Sequence, residues 1–153
     1  NNVLFDHCNK GICVIDLDTL MPGYFISDVG DMMRTYISPF GEEEKDFSKL
    51  EMREDHFTAI AEGYLHEMRK ELNEAELNHF VFAGKFMIYM QALRFLTDYL
   101  NNDIYYGRKY EEHNFVRAGN QVHLLQLLIE KEDRFQAITD RIVFSKKTTQ
   151  QNP

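Results

Sequence analysis

Short apolar runs separated by turn-forming residues open the chain, and beyond them apolar residues recur every three or four positions over long stretches. Val3-Leu4-Phe5 and Ile12-Cys13-Val14-Ile15 are β-branched and apolar, and His7-Cys8-Asn9-Lys10-Gly11 between them carries Asn and Gly for a turn, so the pattern predicts a hairpin. Asp16 to Gly23 is acidic and then broken by Pro22-Gly23, which predicts an ordered loop. Ser27 or Asp28 can cap a short helix through Tyr36, with Asp31 in its favourable first turn. Pro39, Gly41 and the Glu42-Glu43-Glu44 run then mark a solvated surface loop.

From about Asp55 to Leu72, Phe57, Ile60, Ala61, Tyr64, Leu65 and Met68 form one apolar stripe of a helix. Asn73 followed by Glu76 matches a capping box and predicts the start of a second helix, continuing through Phe80, Val81, Gly84, Ile88 and Phe95 to about Leu100. That helix is apolar on more than one face, so it should be central and largely buried. A last long helix is expected over about His113 to Ile142, with Phe115, Val122, Leu125, Leu128, Ile129, Phe135 and Ile138 inward. The expected class is mainly α (α+β): a small hairpin followed by about four helices, with residues 145–153 a polar tail.

Composition narrows the functional classes. With 153 residues, 44% of them apolar, the chain can bury one core. Seventeen Lys and Arg against 25 Asp and Glu give a net charge of −8, which disfavours nucleic acid and anionic membranes as partners. No apolar run approaches a membrane span and no secretory leader pattern is present, so a cytoplasmic protein is expected, with Cys8 and Cys13 as reduced thiols. The six His residues form no His-x-x-x-His pair, which argues against a histidine metal site. Met32, Met33, Met87 and Met90 read as core filler, and Lys146-Lys147 is too short for a nucleic-acid patch.

Hairpin pairing would bring the Asn2 amide oxygen and the carboxylates of Asp16 and Asp18 to one end of the two strands. Magnesium takes hard oxygen ligands, one or two from protein and the rest from phosphate and water, and Asn2 with Asp16 meets that demand. The same residues also serve as turn formers or caps. The wording Asn1-Asn2-Val3-Leu4-Phe5-Asp6, then Val14-Ile15-Asp16-Leu17-Asp18-Thr19-Leu20-Met21-Pro22-Gly23 and Ser27-Asp28-Val29-Gly30-Asp31, resembles the aminoglycoside phosphotransferase and choline kinase superfamily. Within it, the chain is similar to the N-acetylhexosamine 1-kinase branch, whose bacterial members are sometimes labelled mucin-desulfating proteins. The likeness is specific over residues 1–34 and looser to about residue 142.

The resemblance implies a protein-kinase-like C-terminal lobe over residues 1–144, with a metal-binding hairpin and loop at 1–34 and a helical acceptor subdomain at 46–144. Asn2 then matches the loop Asn that holds magnesium, and Asp16 the aspartate that bridges the metal to the phosphates of ATP. Asp28 matches an Asp at a helix start, read as a cap and loop anchor, while Asp18 either supports Asp16 or caps the loop. Gln91 to Leu100 followed by Asp103-Ile104-Tyr105-Tyr106 resembles the wall of a hexosamine pocket, which makes Arg94 and Tyr105 the substrate-binding candidates. On residue type alone they read as a surface Arg on an amphipathic helix and an aromatic plugging its end.

A kinase of this type also uses a glycine-rich cover over the phosphates, a strand Lys paired with a helix Glu, and a general-base Asp five residues before the metal-binding Asn. None occurs in this sequence, so no catalytic residue is assigned to it. The expectation is therefore the C-terminal part of an ATP- and magnesium-dependent kinase that phosphorylates a sugar hydroxyl, N-acetylhexosamine at the anomeric position, inactive as a fragment and prone to self-association through a face left exposed. The alternative is a stand-alone helical protein-interaction module with a structural acidic hairpin.

Overall fold

A computed structural model describes residues 2–18 and 20–145. Strands β1 (Val3–Phe5) and β2 (Gly11–Val14) pair antiparallel, with Val3 opposite Val14 and Leu4 opposite Cys13, and the register shifts between Leu4 and Phe5. Asp6 closes the turn: its Oδ1 accepts from the backbone N–H of Cys8 at 2.8 Å and of Lys10 at 2.9 Å, and Asn9 takes the left-handed conformation at φ 59°. An Asx-type bond of this sort offers the backbone a local partner and tolerates αL at the next Asn.

Among the described residues six α-helices follow: α1 (Phe25–Tyr36), α2 (Glu54–Met68), α3 (Glu74–Asn78), α4 (Phe80–Leu100), α5 (His113–Glu130) and α6 (Glu132–Ser145). A 3₁₀ turn covers Phe47–Lys49. The mainly helical class with a small hairpin is thus the observed one. Beyond Ser145, the expected tail lies outside the described residues.

Several boundaries differ from expectation for identifiable reasons. Helix α1 begins at Phe25, with Tyr24 at the N-cap and no side-chain cap, so neither Ser27 nor Asp28 caps it. Asp28 occupies the first turn, and Asp31 lies a turn further on, where it accepts from Arg34 Nε at 2.8 Å. The capping box forms in full: Asn73 Oδ1 accepts from Glu76 N at 3.0 Å, and Glu76 Oε2 accepts from Asn73 N at 2.8 Å. The helix it opens stops after five residues, because His79 leaves helical geometry (φ −99°, ψ 14°) with its ring Nδ1 bound to the Ala75 carbonyl at 2.6 Å. The expected 113–142 helix breaks in the same manner at Lys131, whose Nζ donates to the Met52 carbonyl at 2.7 Å.

The residues that face inward also differ from expectation, because polar side chains occupy part of the buried face of α5. Leu128, Phe135 and Ile138 are buried and Leu125 is half-buried, whereas Phe115, Val122 and Ile129 are exposed. Helix α5 instead buries Ala118, Leu124 and Leu128 together with four polar side chains, His113, Asn114, Asn120 and Gln121.

Helix α4 is central, packed between α1 and α5, while α6 crosses α2. Phe57 and Phe135 stack at 4.1 Å with planes 4° apart, and Phe80 meets Phe57 edge-on. Gly30 is what lets α1 approach α4: a Cβ there would fall 2.3 Å from the Ala83 carbonyl oxygen. The segment 41–54 is fastened by side chains from the C-terminal helices. Asn120 Nδ2 donates to the carbonyls of Gly41 and Glu44, Arg134 Nε to Glu54, and Lys131 to Met52.

The hairpin and the loop after it contribute nothing to this core; Phe5, Ile12, Leu17 and Leu20 are all exposed. Among the described residues, no helix is long and apolar enough to cross a membrane.

Candidate functional site

The last turns of α4 and the tight turn at 101–106 enclose a groove of about 510 Å³, lined in part by Met90, Leu93, Arg94, Tyr105 and Tyr106. Arg94 and Tyr105, eleven positions apart, face each other across it: the guanidinium lies 5.8 Å from the Tyr105 ring centre and 5.5 Å from that of Tyr106. The two tyrosines meet edge-to-face at 4.7 Å. Gln91 Nε2 donates to Tyr106 Oη at 3.2 Å, which fixes one end of that ring, and Tyr106 rests against Phe95. Tyr105 is 75% exposed, so the part of its ring not met by Arg94 and Tyr106 faces solvent. Arg94 gives one N–H to Gln91 Oε1 at 3.5 Å, and its remaining guanidinium donors lie beside apolar aromatic faces, a combination that suits a polyhydroxylated ring.

Beneath the groove lies a buried polar chain that sequence reasoning missed. Asp98, 5% exposed, accepts from Tyr105 N on Oδ1 at 2.8 Å and from Tyr106 N on Oδ2 at 2.9 Å, while its carbonyl takes Asp103 N at 2.8 Å. Asn114 Nδ2, fully buried, reaches Asp98 Oδ2 at 3.1 Å, Asp103 Oδ1 at 2.9 Å and the Gly107 carbonyl at 2.9 Å. Asn102 and Asp103 are both left-handed, at φ 61° and 58°, the conformation that Asn and Asp tolerate best among non-glycine residues. Arg117 Nη1 donates to Asn114 Oδ1 at 2.9 Å, its guanidinium lies 3.7 Å above the Phe95 ring, and Nη2 donates to Glu42. Glu42 in turn accepts from Arg34 Nη1 at 2.7 Å. Burial disfavours the Arg34 charge, but the hydrogen bonds and charges of Asp31 and Glu42 outweigh it and hold the guanidinium pKa above its ordinary value.

One signal of this chain was visible in the sequence. Asp98 stands in the last turn of an apolar helix, where a negative charge opposes the helix dipole, so some specific partner must compensate it.

A second titratable group lies alongside. His113 is buried, accepts from Lys109 N on Nδ1 at 3.3 Å, and leaves Nε2 without a hydrogen-bond partner, 3.7 Å from Glu43. Burial, with help from Arg117 and Lys109 and against Glu43 and Asp103, lowers its pKa below 6.5. Glu43 is held below its usual range chiefly by its hydrogen bond from Lys109.

At the other end of the chain, Ile15 N donates to the Asn2 carbonyl at 2.8 Å, which sets Asn2 beside the Ile15-Asp16 step at the open end of the hairpin. Asn2 and Asp16 are exposed, and Asp16 is left-handed at φ 61°. Asp18 is exposed in the following loop, and Asp28 is exposed on α1. Among the described residues, no three His, Cys, Asp or Glu side chains gather as a metal cluster. An amide and a carboxylate at one hairpin end are hard oxygen donors, the type that magnesium takes from protein when phosphate and water complete its shell.

No protein-family model matches the chain.

Proposed function

We propose that the chain carries the magnesium- and acceptor-binding parts of an ATP-dependent small-molecule kinase that phosphorylates a sugar hydroxyl, with an N-acetylhexosamine accepting at its anomeric position. The observation that supports this most is the meeting of Arg94 with Tyr105 and Tyr106 at one groove. Arg94 donates to ring or acetamide oxygens, and the tyrosine faces cover the apolar C–H face of the sugar. A groove of about 510 Å³ is of the size that small-ligand sites use. Asn2 and Asp16 are the residues that would hold magnesium against the phosphates. That ion, when bound, neutralises charge on the transferred phosphoryl group. A protein-kinase-like lobe and a cytoplasmic location accompany this reading.

Two measurements on the 153-residue chain test it. Saturation-transfer NMR with N-acetylglucosamine, N-acetylgalactosamine, choline and homoserine should give transfer to the hexosamines only, and Arg94→Ala should weaken it about ten-fold or more. Manganese added with ATP should broaden the amide signals around Asn2 and Asp16, and Asn2→Ala with Asp16→Ala should abolish the broadening. Absence of both responses refutes the kinase reading.

A helical interaction module is favoured by a separate observation. Phe82, Phe86, Tyr89 and Leu93 make an exposed apolar stripe along α4, and the hairpin presents Phe5, Ile12 and Val14 to solvent. Under that reading a second copy covers the stripe; sedimentation equilibrium would show a dimer dissociated by Phe86→Glu.

A further inference from the structure

We propose that Asp98 and Asn114 are positioning residues that set the Tyr105–Tyr106 wall of the acceptor groove; this rests on the reading of that groove as the sugar site. Three features converge. Asp98 spends both carboxylate oxygens on the N–H groups of the two tyrosines, so each oxygen fixes one backbone position from which a groove ring projects. Asn114 ties the same carboxylate to the Asp103 side chain and the Gly107 carbonyl, so one amide holds both ends of the turn. The two consecutive left-handed residues, Asn102 and Asp103, fold the chain back so that the N–H groups of Tyr105 and Tyr106 reach Asp98.

The location matters as much as the number of bonds. A turn that only ended α4 needs no buried aspartate: its carbonyls can turn to water, and glycine supplies left-handed geometry without strain. Here two carboxylates, Asp98 and Asp103, are buried at a helix C-terminus, where charge is disfavoured, and the segment they hold presents the exposed Tyr105 ring opposite Arg94. Arg108, 3.8 Å from Asp103, offsets one of these charges, and Asp98 is the carboxylate bonded directly to the two residues of the groove wall. Arg117 extends the same control, since it binds Asn114 Oδ1 and lies 5.2 Å from the Tyr106 ring.

The test is Asp98→Asn in the full chain, which keeps the shape but leaves one of the two tyrosine N–H groups facing an NH₂. Three quantities are read together: N-acetylglucosamine affinity, thermal midpoint, and hydrogen exchange at Tyr105 and Tyr106. The core variant Ile138→Val serves as a control that lowers stability away from the groove. The expected result is a weakening of about ten-fold or more in sugar affinity, with amide exchange at residue 105 or 106 faster by at least as much, while Ile138→Val leaves both unchanged at temperatures where it is folded. If Asp98→Asn does not fold, Asn114→Ser replaces it and is read in the same way.

Unchanged affinity and unchanged exchange in a folded variant overturn the proposal. If the unmodified chain binds no hexosamine, the sugar reading falls instead, and exchange at 105 and 106 decides the positioning alone: acceleration in Asp98→Asn sustains it and retained protection overturns it.

Discussion

Replacing Gly30 by Ala should destabilise the protein, although the same change in an open helical position stabilises it. An ideal Cβ on Gly30 would lie 2.3 Å from the Ala83 carbonyl oxygen, 2.9 Å from its carbon and 2.5 Å from Met87 Cγ. Met87 can swing aside, but the Ala83 carbonyl is part of the α4 backbone. Ordinary C···O contacts begin near 3.3 Å, so α1 must retreat by roughly 1 Å along the seam that also holds Val29 and Met33. Overpacking of this kind costs about 1–3 kcal/mol, offset by about 1 kcal/mol of helix propensity gained on leaving glycine. Because the clash is with backbone, the upper end of that range applies and the net expectation is a loss of about 2 kcal/mol, or roughly 4–8 °C in midpoint for a chain of this size. Gly63 is the matched control: it sits on the exposed face of α2 with nothing within 4 Å of its would-be Cβ, so Gly63→Ala should gain about 0.5–1 kcal/mol. Urea unfolding followed by circular dichroism, with the m-value checked for constancy, separates the two. Equal signs for the two substitutions, or a Gly30→Ala protein as stable as the parent, would refute the account of the α1–α4 seam.

Two further outcomes follow from local geometry. Asn73→Ala removes one half of the capping box ahead of α3 and should cost about 1 kcal/mol, read as a fall in urea midpoint and faster exchange at the Glu76 amide. His113 has its pKa lowered in the folded state, so as pH falls below 6.5 the unfolded chain takes up the proton first and stability declines down to the lower folded value; His113→Gln should flatten the stability–pH curve just below pH 6.5. Glu43, Lys109, Arg117 and Asp103 surround the ring and remain in that variant, so any slope below pH 4.5 from the depressed Glu43 carboxylate should persist.

Residue type carried some of this architecture openly. The β-branched runs and the Asn-Lys-Gly turn led to the hairpin, and Asn73 with Glu76 led to a cap in which both bonds form. Apolar periodicity located α2 and α4 because their buried faces are made of apolar side chains. It misphased α5 because Asn114 and Gln121 occupy the buried face, and a count of apolar positions assigns polar residues outward. The breaks at His79 and Lys131 were invisible for a similar reason. Neither is Gly or Pro, and each is set by a hydrogen bond, that of Lys131 to a residue 79 positions away. At the groove, Arg94 and Tyr105 could be named from the wording of one short segment, but Asp98 and Asn114 act through backbone N–H groups, for which side-chain identity gives little sign.

The fastening of segment 41–54 bears on the order in which the molecule assembles. Its ties to α5 and α6 join residues 75 to 80 positions apart, from Arg117 with Glu42 to Arg134 with Glu54. Closing loops of that size loses chain entropy before any of these polar bonds can form, whereas α4 and α5 are joined by the much shorter connection 101–112. Docking of 41–54 is therefore expected to come late, and Arg134→Ala should then speed unfolding more than it slows folding in a stopped-flow urea series.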